Sequence, residues 1–281
     1  VADVAGVGME HEPGRAARIG AGAVPGVFKG SGVSGGVMAG AVAVLVAANV
    51  LNNRLAPRLA PLTSAAATGA LVVMARRSGL SWAELGFHRR ARGLRIGGAL
   101  ASAVAGAYAV GISVPATRRF FRDERALSLS RARALEEALL QVPVGTVLLE
   151  EVGFRGVVHA LVARSHGHGT ATAVSSALFG LWHILPAADM MAANPALSHL
   201  ASGKSGKAPA RQVARVVAGS VVTTGLAGVL FTELRRRGGL AAPAMFHVAT
   251  NSLGYLFARL APPDRARPVS PTRPVSPTRQ V

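Results

Sequence analysis

Long apolar runs, separated by short basic or polar breaks, dominate this chain. They fall at 35–51, 61–75, 94–114, 139–163, 170–188, 213–234 and 240–260. None shows the apolar–polar alternation of a half-buried strand, and all exceed the usual strand length. A helix of about 20 apolar residues crosses the hydrocarbon core of a bilayer. The pattern therefore predicts an all-α fold, a polytopic transmembrane helix bundle of about seven spans. Two of the breaks predict further structure. The segment 80–90 places Trp82, Leu85 and Phe87 on one side and reads as a short amphipathic piece in the membrane interface. The arginine-rich stretch 117–136 reads as a connecting helix at the membrane surface.

The ends differ from the middle. Residues 1–32 are Gly, Ala and charge without periodicity, and read as a disordered N-terminal tail without the compact apolar core of a cleavable leader. Residues 262–281 repeat Arg-Pro-Val-Ser-Pro-Thr from Arg267 and again from Arg273, and read as a disordered Pro-rich C-terminal tail. Residues 33–261 form one membrane domain, interrupted by a polar loop at 189–210.

Composition supports this reading. Half the residues are hydrophobic and 16% are charged, against about 25% charged in soluble domains. The net charge of +18 would suit nucleic acid by itself. The arginines, however, cluster at the ends of apolar runs, where they meet lipid phosphates and set topology. The expected partners are membrane lipid and a peptide or protein substrate, with no nucleic acid. The stretches 76–95 and 117–136 carry six arginines each on opposite sides of the third span, so charge does not orient the bundle. There is no cysteine, which excludes disulfides, thiolate nucleophiles and Cys-type zinc sites.

Chemistry enters with the polar residues inside the spans. Glu150, Glu151 and Arg155 lie in the fourth run, and each ionisable group at membrane depth costs roughly 2.5–3.5 kcal/mol. Glu151 and Arg155 are four apart and can pair along one helix face. Glu150 points about 100° away and has no partner in its own helix. Phe179 and His183 share a face of the fifth run, and His247 and Asn251 a face of the seventh. Each has a bland alternative: a register-fixing ion pair, a hydrogen-bonded packing histidine, a helix–helix hydrogen bond. Three spans contributing polar groups at similar depth predict a shared site instead. His159, His166 and His168, at the end of the fourth run, read as interfacial. His199 in the polar loop reads as structural, and Asp189 as a loop cap.

A carboxylate, two imidazoles and an amide can activate water. One group removes the proton, water attacks a carbonyl, and hydrogen-bond donors hold the oxyanion. Glu150, His183 and His247 could alternatively form a three-ligand open Zn²⁺ site. The residues leave metal and metal-free versions open. A transporter using Glu and His as a proton relay, or a non-catalytic membrane scaffold, would also place such groups in a bundle.

Glu150-Glu151-x-x-x-Arg155, Phe179-x-x-x-His183 and His247-x-x-x-Asn251, in that order, resemble the three motifs of the CAAX-protease and bacteriocin-processing (abortive-infection) family of intramembrane proteases. Gly156 and the segment 83–87 are also family-like, and the motif core spans 148–255. The resemblance implies a membrane-embedded endopeptidase of a bacterial cell membrane, acting in peptide or bacteriocin-type processing or self-immunity. It implies Glu150 as the base for water with His183 its partner, and His247 and Asn251 as oxyanion donors. Glu151 and Arg155 would brace the site. The resemblance is compatible with a metalloprotease and with a metal-independent glutamate mechanism.

Overall fold

A computed structural model describes residues 35–121, 124–193 and 210–261. The two expected tails, His199 and most of the polar loop lie outside the described residues. Within them every regular element is helical.

Helix α1 (Gly35–Val50) runs into one π-type turn (Leu51–Leu55), and a short 3₁₀ turn leads to α2 (Ala60–Arg77). Pro61 stands in the first turn of α2, where its missing N–H costs nothing. Helix α3 (Arg90–Ser113) stops just before Pro115. The expected surface helix after it is a chain of short pieces, α4 (Pro115–Arg118), α5 (Glu124–Ser128) and α6 (Arg131–Glu136). Helix α6 is capped by Ser130, whose hydroxyl accepts from the Arg133 N–H.

From α6 the chain enters π1 (Glu137–Val147), α7 (Leu148–Glu150), π2 (Glu151–Val158) and α8 (His159–Trp182) without leaving helical geometry. The expected fourth and fifth spans thus form one helical stretch. It is broken at Gly167, whose φ of 79° and ψ of 168° lie in a region essentially reserved for glycine. Helices α9 (Ile184–Ala193), α10 (Ala210–Gly238) and α11 (Ala241–Leu260) complete the chain.

Among the described residues, five helical stretches are long and apolar enough to cross a membrane: Gly35–Leu55, Pro57–Arg77, Arg90–Ser113, Arg131–Asp189 and Ala210–Gly238. The fourth carries two of the expected spans. Helix α11, the expected seventh, is not among them, because His247, Asn251 and Ser252 lower its hydropathy. The outer faces carry large apolar side chains such as Leu62, Val110, Leu139 and Leu226, all more than half exposed. Lipid can cover such a surface, while backbone polar groups are satisfied inside the helices. The fold is that of a multi-pass helical membrane protein.

Two internal features shape the centre. Pro143, inside π1, has no N–H to offer the carbonyl five residues back, that of Ala138. Ser252 of α11 donates to the Ala138 carbonyl at 2.7 Å, and Ser64 of α2 donates to that of Gly145. Between α8 and α10 the backbones meet closely: a Cβ on Gly180 would stand 2.5 Å from the Val221 carbonyl oxygen. Small residues permit this approach.

The segment 80–87 departs from expectation. It forms a tight turn and no helix. Glu84 accepts from the N–H and hydroxyl of Ser81, both at 2.7 Å, and pairs with Arg164 at 2.7 Å. Gly86, with φ of 90°, offers its carbonyl to the Leu240 N–H at 2.9 Å. Leu85 is fully buried, while Trp82 stays half exposed. Links to Arg164 of α8 and to the Leu240 N–H before α11 fix this turn.

Candidate active site

Four segments meet at one polar cluster in the bundle. Glu150 ends α7, Glu151 and Arg155 lie on π2, Trp182 and His183 end α8, and His247 is near the start of α11. Glu150, Glu151, Arg155 and His247 are all buried.

His247 stands between the two carboxylates. Its Nδ1 is 2.8 Å from Glu151 Oε1, and its Nε2 is 3.6 Å from Glu150 Oε2. Glu151 Oε1 also faces Arg155 Nη1 at 3.5 Å. Ionised carboxylates only accept hydrogen bonds, and a neutral imidazole donates from one nitrogen. A bond at Nδ1 to Glu151 therefore leaves the Nε2 lone pair facing Glu150. A proton between Nε2 and Glu150 would complete the second contact.

Glu151 meets Arg155, as the four-residue spacing predicts, and also binds His247. The reason lies in the backbone. In a π-helix, hydrogen bonds run from i to i+5, so neighbouring residues are separated by less than the roughly 100° of an α-helix. Glu150 and Glu151 come closer to one face, and both reach the same imidazole.

Glu150 is not unpartnered either. The Trp182 indole N–H donates to its Oε1 at 2.8 Å. The sequence reading missed Trp182. Its position directly before His183 was the one available signal, because any residue there shares the end of the same helix. Glu150 Oε2 is buried without a hydrogen-bond partner among the described residues.

Arg155 is fully buried between two aromatic rings. Its guanidinium carbon lies 3.7 Å from the Phe179 centroid and 4.9 Å from that of Phe231. Phe231 in turn is 4.9 Å from the His247 ring. Phe179 packs edge-on against His183, centroids 4.6 Å apart, as the shared face predicts. The His183 Nδ1 is 2.8 Å from the Phe179 carbonyl. A carbonyl only accepts, so Nδ1 carries the proton and Nε2 keeps its lone pair.

Asn251 is not drawn in. It lies one turn beyond His247 but is exposed, and has no hydrogen bond among the described residues. Packing covers His247 and leaves Asn251, one turn on along the same face, uncovered. His159 also differs from expectation: it is buried and stacks on His168 at 5.6 Å, because the fourth span continues past it to the break at Gly167. Asp189 pairs with Arg54 instead of capping a loop.

The zinc arrangement needs three ligands converging within about 2.0–2.2 Å of one centre. Among the described residues no three His, Asp or Glu side chains are so grouped. Glu150, His183 and His247 are not so grouped here, although His183 keeps the Nε2 lone pair that a metal would need.

A cavity of about 1000 Å³ reaches the cluster from the side, between α3, the π segments and α11. Its walls are mainly apolar, with Leu94, Val147 and Leu253 among them, and Glu151 borders it.

The fold and cluster define a class: a polytopic helical membrane protein with a buried Glu–His–Glu site beside an apolar groove. Residues 137–253 match the family model described as "Type II CAAX prenyl endopeptidase Rce1-like". The match covers somewhat under half the chain and contains every motif residue from Glu150 to Asn251. The resemblance to the CAAX-protease and bacteriocin-processing family is borne out over that segment. Neither the curated proteins nor the solved structures give a match.

Proposed function

We propose that the protein is an intramembrane endopeptidase in which Glu150 activates water for attack on a peptide carbonyl. The observation that carries this is the Glu150–His247 contact: a buried carboxylate oxygen without a hydrogen-bond partner, 3.6 Å from an imidazole nitrogen. Substrate binding would have to part Glu150 from His247 to admit water, since 3.6 Å is too short to hold one between them. Glu150 Oε2 would take one proton from this water as its oxygen bonds to the carbonyl carbon. With Nε2 carrying a proton drawn from solvent beforehand and kept throughout, His247 would donate a hydrogen bond to the resulting oxyanion, and the Glu150 proton would pass to the leaving amine as the C–N bond breaks. His183, with Nε2 free, would assist proton transfer. Asn251 would serve as the second oxyanion donor only after α11 turns it toward a bound substrate.

Glu151 and Arg155 hold His247 in place from the other side. The substrate class is a peptide or membrane-associated protein entering through the apolar groove. By resemblance the setting is a bacterial cell membrane and the purpose peptide processing, bacteriocin maturation or self-immunity. Each of these steps uses side chains of this chain alone.

The test is a comparison of membrane and secreted peptides from cells carrying the parent protein or Glu150→Gln at equal abundance. Peptides that vanish in the variant identify the substrate. Identical peptide pools would overturn the proposal, and solute flux lost with Glu150 would favour a transporter.

A further inference from the structure

Outside the three motifs, one chain of contacts reaches Glu150 from the far side. Trp182 donates its indole N–H to Glu150 Oε1 at 2.8 Å. Trp182 is the last residue of α8, so its carbonyl lacks an intrahelical donor. The Asn49 side-chain amide of α1 donates to that carbonyl at 3.0 Å. Asn49 is buried, and lies outside residues 137–253. The Trp182 ring is further held edge-on by Phe154, centroids 5.5 Å apart.

An amide inside an apolar helix is expensive unless it is bonded. Asn49 spends its N–H on the one carbonyl that fixes the end of the helix bearing Trp182 and His183. Trp182 then engages one of the two Glu150 oxygens and leaves the other facing His247. This sets which oxygen is free and in which plane the carboxylate lies.

We infer that Trp182 and Asn49 are positioning residues for Glu150, so that α1 is a working part of the site and not only a wall of the bundle. For its catalytic part this rests on the protease reading. For its structural part it does not.

The chain has two tryptophans, so Trp82→Phe leaves Trp182 as the one indole. Trp82 lies outside the site, and this variant is expected to keep parental activity. In ¹⁵N-indole spectra of that protein, Glu150→Ala is expected to move the Trp182 N–H resonance upfield, and Asn49→Leu to move it less. On a peptide released by the parent enzyme, Trp182→Phe is expected to lower kcat about 10–100-fold through misplacement of the base, with KM unchanged. Trp182→His, which keeps a ring N–H, should retain more kcat than Trp182→Phe. Asn49→Leu should lower kcat at temperatures well below its own Tm, where the Trp182 carbonyl it leaves unbonded shifts the helix end without unfolding the bundle. An indole resonance indifferent to Glu150→Ala, or parental kcat in both Trp182→Phe and Asn49→Leu, would overturn the inference. A parent enzyme that cleaves nothing overturns the protease reading and the catalytic part with it, while the indole resonance still decides the bonded geometry.

Discussion

His247 Nδ1 lies 2.8 Å from Glu151 Oε1, although 96 residues separate them in the chain. The same oxygen faces Arg155 at 3.5 Å. Glu151 is thus the joint between an intrahelical ion pair and the imidazole of another helix. Its buried charge is offset by Arg155, whose own charge rests on Phe179 and Phe231. Removing any of these groups leaves its neighbours charged and dry.

Glu150→Gln should abolish hydrolysis while the protein still inserts and purifies. Gln retains an oxygen to accept the Trp182 N–H but cannot take a proton from water. Loss of a general base costs about 10²–10⁴ in rate. Turnover measured on a peptide released by the parent enzyme checks this, and parental turnover would remove Glu150 from the mechanism.

Arg155→Ala should lower stability more than Glu150→Gln. The side chain is fully buried, and breaking a buried pair costs about 3–5 kcal/mol. Arg155→Lys should recover little, because an ammonium cannot stack flat between two rings. Thermal unfolding in detergent reads both. A Tm equal to the parent's in Arg155→Ala would contradict the bracing role.

Gly180→Ala should loosen α8 from α10. The added Cβ would meet the Val221 carbonyl oxygen at 2.5 Å, and a backbone atom cannot step aside as a side-chain end can. Overpacking of this kind costs about 1–3 kcal/mol. Gly219→Ala, on the same helix pair but with nothing within 4 Å, is the control and should be neutral. Equal Tm values for the two variants would show that the close approach is unimportant.

Glu84 predicts a pH effect at the bundle end. Burial acts to raise its pKa, but the Ser81 hydrogen bonds and Arg164 outweigh it and hold the carboxyl below the ordinary value. A lowered carboxyl pKa adds stability above the unfolded-state value, about 4.3, and that stability is lost as pH falls through the folded value. The Tm gap between parent and Glu84→Gln should therefore be full near neutral pH and shrink in acid. A gap that stays constant down to the acid limit would show that the Glu84 charge does not act. The group is largely exposed, so the gap will be small.

The apolar runs by themselves determined that the chain is helical and crosses a membrane, because hydropathy and length act locally. The motif spacings likewise determined that Phe179 packs on His183 and that Glu151 meets Arg155, since four residues is one turn of a helix. Tertiary structure decided the rest. No local rule says that His247 sits between two glutamates, that Trp182 holds Glu150, or that Asn49 pins the helix end behind it. These pairs are joined across helices, and register between helices depends on how closely Gly180 and its neighbours let the backbones approach. Winding also mattered: the π geometry of π2, invisible in the residue pattern, brought Glu150 and Glu151 toward one face. The same crossing of helices left Asn251 outside, although its spacing from His247 matches that of His183 from Phe179. Spacing fixes which residues share a face, and packing alone fixes what that face meets.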